Sequence, residues 1–131
     1  MINEKEEDQR SSESAKSATS SRLADDDFYR ALASGRRRRL LAILFDDSES
    51  TVDELANVLT GWETTEAGTM ATLDDRDRIA VELRHVHLPV LDDVGLVTYD
   101  TQTGAVRLDD VDDVVSGLIS RSIEAERLSR S

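Results

Sequence analysis

The longest regular pattern of apolar and polar positions in the chain runs from Asp75 to Val97. Apolar residues recur there at three- and four-residue spacings, as they do on the buried face of a helix. Gly95 is a natural C-cap for this helix, and Leu96 then opens a stretch rich in β-forming residues. The pattern predicts a long helix, bent or divided at Pro89, that leads directly into a β-hairpin. The members of its apolar stripe are Ile79, Leu83, Val86, Val90, Leu91 and Val94.

A hairpin and a final helix are predicted for the rest of the C-terminal part. Residues 96–100 and 105–108 alternate as strands, and the four residues between them supply the turn. Asp109-Asp110 is predicted to cap a helix within 110–131. The apolar stripe of that helix is richer than a lone terminal helix needs, so we expect it to pack on the first helix, to pair with its symmetry mate, or both. The homodimer candidates are Val115, Leu118, Ile119 and Ile123.

Two helices are predicted near the start of the folded part. The first spans residues 26–33, and the second begins at Arg36 to Arg39, after a break at Ser34-Gly35. Four cations in a first turn oppose the helix dipole, so they need compensating anions. Two sources remain open: nearby aspartates (Asp25, Asp26, Asp27, Asp46 and Asp47), or the phosphates of a bound nucleic acid.

A third helix is predicted to be short. Thr51 and Glu54 form a capping box at its start, and Thr60-Gly61 is expected to end it. Val58 is assigned to its buried face. Trp62 is expected to dock on the core from the following loop, since a lone indole is far more often a packing residue than a ligand platform.

The net charge of the chain indicates the kind of solution in which it is adapted to work. Acids outnumber bases by 28 to 16, which gives a formal net charge of −12. A dense carboxylate surface stays hydrated in molar salt, where the Debye length is about 3 Å. The composition therefore favours a halophilic prokaryote over an acidic protein that binds basic partners. Residues 1–24 are predicted to be a disordered polar tail, residues 25–109 the folded domain, and residues 110–131 the C-terminal helix.

Several classes of function are excluded by what the sequence lacks. It has no cysteine, so disulfides, thiol catalysis and cysteine-based metal sites are absent. His85 and His87 are two positions apart on a helix and cannot share one metal ion. No nucleophile–base set or phosphate-binding glycine loop appears, so we expect neither an enzyme nor a cofactor. With no apolar run near the roughly 18 residues of a membrane span and no signal peptide, we expect a cytoplasmic protein without membrane contact.

The run HVHLPVLDDVGLV at 85–97 resembles the end of the recognition helix in ArsR-like winged helix-turn-helix regulators. Residues 28–35 with the following arginines are similar to the first helices of those proteins. Together with Trp62-Glu63-Thr64, these segments look like an uncharacterised haloarchaeal winged-helix domain family. The resemblance covers roughly residues 26–108 and implies a mainly α fold with a small β-hairpin as the wing. It also implies a transcription regulator, although the metal-sensing cysteines of ArsR sensors are missing.

In such a regulator, the helix around 75–88 would enter the major groove of double-stranded DNA, and a wing around 98–107 would touch the flank. From Asp74 to Arg107, however, the sequence has seven acids and only four arginines, and this negative net charge is unfavourable for phosphate binding in ordinary salt. The alternative is a non-enzymatic protein-interaction or dimerisation module that does not bind DNA. That alternative is favoured if aspartates neutralise the arginines of the helix. The base or groove candidates are Arg76, Arg78, Arg84 and His85, and the backbone or wing candidates are Arg36, Arg37, Arg38, Arg39, Gln102 and Arg107.

Overall fold

Helices make up most of the computed structural model, which describes residues 25–129. The predicted tail, 1–24, and the last two residues of the predicted C-terminal helix lie outside this part. The mainly α composition with a small sheet agrees with the prediction. The helices are α1 (Asp26–Ala33), α2 (Gly35–Asp47), α3 (Val52–Ala67), α4 (Leu73–Glu82), α5 (Leu88–Asp93) and α6 (Asp113–Ser129), with a π-helical turn (Leu83–His87) between α4 and α5. The strands are β1 (Glu49–Thr51), β2 (Val97–Tyr99) and β3 (Ala105–Leu108).

The three strands form one antiparallel sheet in the order β1–β3–β2. Val106 of β3 lies at its centre, opposite Ser50 on one side and Tyr99 on the other. The N–H of Val52 donates to the carbonyl of Gly104 at 2.9 Å, which fixes the start of α3 beside the hairpin turn. The hairpin was predicted, whereas β1 was not.

A leucine-rich core joins the helices to the inner face of the sheet. Val58 and Val86 were predicted to belong to it, but they are 49% and 46% exposed. Val58 lies outside the buried stripe of α3, and the π turn moves Val86 off the buried face. The largest fully buried side chains are Leu40, Leu41, Leu44, Leu55, Leu59, Leu83, Leu88, Leu91, Leu96 and Ile119 with Val52 and Val97.

α3 is longer than predicted. It passes through Thr60-Gly61 and ends at Ala67, where Gly68 takes the left-handed conformation with φ of 70°. A glycine inside a helix costs only about 1 kcal/mol, so Gly61 does not stop it, whereas Gly68 provides the left-handed cap that a helix end favours. Trp62 is thus a helical residue, half-buried, and its indole N–H donates to Glu66 at 2.8 Å.

A π-helical turn divides the predicted long helix just before Pro89. The N–H of Leu88 donates to the carbonyl of Leu83, five residues back. Pro89 has no N–H to continue an α-helical pattern, and the wider turn accommodates it at the start of α5. Because residues five apart share a face in this turn, Leu83 and Leu88 are both fully buried.

α6 begins at Asp113, four residues later than the predicted Asp109 cap. The N–H of Asp109 donates to the carbonyl of Leu96 at 3.0 Å, and its carboxylate accepts from Thr98 at 2.8 Å. Asp109 therefore closes the end of the sheet. Asp112 caps α6 instead, since its carboxylate accepts from the N–H of Val114 at 2.8 Å.

Candidate functional site

Residues 36–39, here called the arginine cluster, turn their side chains into the molecule from the start of α2. Arg37 donates from Nε to the carbonyl of Ala31 at 2.7 Å, and Arg38 donates to that of Leu32 at 2.8 Å. These carbonyls belong to the last turn of α1, where a helix leaves its oxygens without partners of its own. The two arginines therefore cap α1, at the end where the helix dipole favours cations.

Arg36 and Arg39 bind carboxylates from three other helices. Glu63 of α3 accepts from Arg36 at 2.5 and 3.0 Å and from Arg39 at 3.1 Å. Arg36 also pairs with Glu82 of α4, and Arg39 pairs with Glu126 of α6 at 3.0 Å. The side chains of Arg36, Arg39 and Glu63 are only 27%, 21% and 19% exposed. The arginine cluster thus joins α2 to α3, α4 and α6 through partly buried charges.

This pairing perturbs the ionisation of its members. The hydrogen bond to Glu63 is the main cause that raises the pKa of Arg36. Burial disfavours the ionised form of Glu63, but the hydrogen bonds and charges of Arg36 and Arg39 outweigh it and lower the pKa of its carboxyl. The pair is therefore charged at neutral pH.

The proposed pairing of the arginine cluster with nearby aspartates is wrong. Packing of three helices on α2 instead brings in Glu63, Glu82 and Glu126, which are 24 to 87 positions away from their partners. A phosphate could bind here only by displacing these intramolecular bonds. The geometry therefore counts against phosphate contact by the predicted backbone candidates Arg36, Arg37, Arg38 and Arg39.

His87 of the π turn extends the same network. Its Nδ1 lies 3.2 Å from a terminal nitrogen of Arg37, and its Nε2 lies 3.8 Å from the carboxylate of Glu82. Burial, followed by the charges of Arg37 and Arg36, lowers the pKa of His87. A neutral ring can accept from Arg37 at Nδ1, so the histidine takes part in the network without a charge.

Carboxylates hold the arginines predicted to enter the DNA groove. Arg76 donates to Asp53 at 3.0 Å, and Arg84 donates to the same carboxylate at 3.4 Å. Arg78 pairs with Asp74 one turn away at 3.1 Å. Asp53 belongs to the first turn of α3. One carboxylate therefore binds two of the three arginines of the candidate recognition helix, which comprises α4 and the π turn.

The remaining predicted DNA contacts, His85, Gln102 and Arg107, are exposed. Within residues 25–129, the side chains of His85 and Arg107 have no hydrogen-bond or ion-pair partner. Gln102 lies at the tip of the hairpin, where its N–H and that of Thr103 donate to Asp100 at 2.9 and 3.3 Å. These backbone bonds lower the pKa of Asp100. An ionised carboxylate therefore sits beside the predicted wing contact.

Two of the four predicted dimer contacts lie in the core. Val115 and Ile119 are 2% and 1% exposed, because this face of α6 packs inside its own molecule. They cannot contact a second copy, and that part of the prediction is corrected. Ile123 is half-buried against the same core, and Leu118 is 43% exposed.

The described part of the chain contains neither a metal-binding group of side chains nor a membrane-spanning helix. Across residues 25–129, no three or more His, Asp or Glu side chains are grouped so as to hold a metal ion. In the same range, every helix is too short or too polar to cross a bilayer.

The residues that sequence reasoning missed are the carboxylates from other helices that bind the arginines: Asp53, Glu63, Glu82 and Glu126. Four adjacent arginines signal a need for anions, but nothing in the sequence says which ones. Only the packing of helices distant in the chain selects them.

The family model described as "Domain of unknown function (DUF7344)" matches residues 29–107, which is more than half of the chain and runs from α1 into β3. Neither the curated proteins nor the solved structures give a match. The family description specifies no activity.

Proposed function

The chain belongs to the DUF7344 family, and we propose that it is a non-enzymatic protein-interaction module built on a winged-helix scaffold. The order of elements supports the scaffold. α2, β1, α3 and the α4–π–α5 helix are followed by the β2–β3 hairpin, and the sheet order is β1–β3–β2. In that scheme α3 and α4 form the helix-turn-helix, and residues 100–104 form the tip of the wing.

The observation that carries the proposed function is the engagement of Arg76, Arg78 and Arg84 by aspartates. A recognition helix for DNA offers free cations to phosphates and base edges. Here each of the three is bound by Asp53 or Asp74. The exposed carboxylates next to them would repel the DNA backbone in ordinary salt.

Exposed apolar side chains supply what a protein interface needs. Met70, between α3 and α4, is 86% exposed, and Leu73, the first residue of α4, is 81% exposed. Val114, Leu118 and Leu128 of α6 are 57%, 43% and 66% exposed. Protein interfaces are built around apolar groups of this kind. α6 is therefore proposed as a self-association element.

DNA binding by a transcription regulator is the second candidate, and one observation favours it. The ion pairs of Arg78 and Arg84 are exposed, and exposed pairs contribute only about 0–1 kcal/mol each. A DNA phosphate could replace the aspartates at small cost in molar salt, where repulsion is screened. Arg107 and His85, without partners in residues 25–129, could then add contacts.

Selection of genomic DNA fragments at molar KCl decides between the two. The native chain is compared with the triple variant Arg76→Gln, Arg78→Gln, Arg84→Gln, with Arg127→Gln on α6 as the matched control. The interaction function predicts no sequence motif enriched by any of them. A motif enriched by the native chain and the control, but lost by the triple variant, would overturn it and establish DNA recognition.

A further inference from the structure

α6 carries a second apolar stripe beside the one that packs into the core. The core stripe contains Val115 and Ile119, and the second stripe is displaced from it by one position. All members of the second stripe are exposed, at alternating spacings of four and three residues. They are Val114, Leu118, Arg121, Ala125 and Leu128, here called the exposed seam.

This spacing is the one by which two helices pair along their length. Alternating steps of three and four keep a seam facing a partner helix in coiled-coil packing. Within residues 25–129 no helix covers the exposed seam, since its large apolar members are 43% to 66% exposed. The seam is therefore patterned for a second helix that the single chain does not supply.

A groove beside Leu118 extends the same surface. It lies between α1 and α6, has a volume of about 320 Å³, and is lined mainly by apolar groups. Tyr29, 66% exposed, forms part of its wall together with Leu32 and Ala33. The surface thus combines a protruding row of side chains with a recess, as a self-complementary interface requires.

We propose that the exposed seam binds the same seam of a second copy of this chain in antiparallel orientation. Self-association of a chain with net charge −12 is least opposed where the surface carries no acid. The only charged residue in the exposed seam is Arg121. Two such acidic chains therefore meet no carboxylate of the seam itself when they associate through it.

The position of Arg121 sets the orientation and the register. A parallel pair in register would place Arg121 against Arg121 of the second copy. An antiparallel pair centred on residue 123 places Leu118 against Leu128 of the second copy, and Arg121 against Ala125 next to Glu124. Arg121 then lies near Glu124 of the second copy, a half-exposed carboxylate that also pairs with Arg127 of its own helix at 3.0 Å. Leu128 of the second copy comes to lie beside Leu118, at the groove that Tyr29 lines.

This inference rests on the proposed interaction function, and cysteine cross-linking tests it separately. The chain has no cysteine, so every disulfide reports on introduced residues. Leu118→Cys and Leu128→Cys on one α6 are about 15 Å apart along the helix and cannot join each other. The double variant is expected to give a covalent dimer on mild oxidation, and each single variant much less. Efficient cross-linking of the single variants would show a parallel pair and overturn the proposal.

Sedimentation at molar KCl provides the second measurement. The native chain is expected to dimerise within a concentration series reaching about 100 µM. Leu118→Glu should make the protein monomeric, while its circular dichroism spectrum keeps the helical signal of the native chain. Val58→Glu, at a similarly exposed residue of α3, should leave the dimer intact. A monomeric native chain, or equal loss of the dimer in both variants, would overturn the proposal. The DNA selection tests the proposed function separately, since its result does not depend on this dimer.

Discussion

Glu63→Gln removes the carboxylate that two arginines of the arginine cluster share. Hydrogen bonds to charged groups are worth about 1.5–3 kcal/mol each, and breaking a buried ion pair costs about 3–5 kcal/mol. The actual cost should be smaller, since Glu63 is 19% exposed, and Arg36 and Arg39 keep Glu82 and Glu126 as partners. The glutamine oxygen also still accepts one bond. We therefore expect a loss of about 2 kcal/mol in the free energy of unfolding, or roughly 10 °C in the melting temperature.

Urea unfolding followed by circular dichroism, at constant molar KCl, measures this loss. Asp77→Asn is the matched control, because its pair with Arg76 spans 3.4 Å, the aspartate is 70% exposed, and Arg76 retains Asp53. The control should change the free energy of unfolding by less than about 0.5 kcal/mol. Equal, small effects of both substitutions would refute the view that the arginine cluster holds the helices together.

Three further predictions follow from the same structure. Gly68→Ala should destabilise the chain by about 1 kcal/mol because of its φ of 70°, whereas Gly61→Ala, inside α3, should stabilise it by about 0.5–1 kcal/mol. A stabilised Gly68→Ala variant or a destabilised Gly61→Ala variant in thermal unfolding would contradict this. Because the pKa of His87 is lowered, the folded state binds fewer protons at this ring than the unfolded state does. The contribution of His87 to stability is therefore present above the unfolded pKa of about 6.5, and it is lost as the pH falls through the lower pKa of the folded state. In urea titrations from pH 7 downwards, His87→Gln should therefore lose stability less steeply than the native chain, and equal slopes would count against this. Asp53→Asn should increase retention of nonspecific duplex DNA at ordinary salt in a gel-shift assay, since it releases two arginines; no increase would mean that this carboxylate does not keep them from DNA.

Local signals in the sequence were enough to predict most elements. The N-cap at Thr51 and the alternation of the hairpin depend on neighbours within a few residues, and α3 and the hairpin form where predicted. Only half of the predicted capping box is present: the Thr51 hydroxyl accepts from the N–H of Glu54 at 3.1 Å, whereas the Glu54 carboxylate accepts from the Ser50 hydroxyl. The errors arose where two local signals competed. Gly61 and Gly68 are both possible helix ends, and only the second adopts the left-handed conformation. Asp109 and Asp112 are both possible caps, and the sheet engages the first.

The candidate site could be predicted only in part, because its contacts depend on tertiary packing. The arginines were recognised as exceptional from their opposition to the helix dipole. Their partners Glu63 and Glu126 lie far along the chain, and no local rule connects them. Likewise, the periodicity of α6 revealed an apolar helix but did not show which of its two stripes enters the core. Val115 was therefore assigned to the dimer although it is buried.

The π turn between α4 and α5 has a consequence for how chain length can vary within the DUF7344 family. It holds one residue more than an α-helical turn would need to bring Leu83 and Leu88 to the same face. A relative with one residue fewer between these leucines would bury both with ordinary four-residue spacing, and the strands beyond would keep their place. We therefore expect deletions of one residue to be tolerated at 84–87, whereas in the uninterrupted part of α4 they would rotate the following helical residues off the buried face.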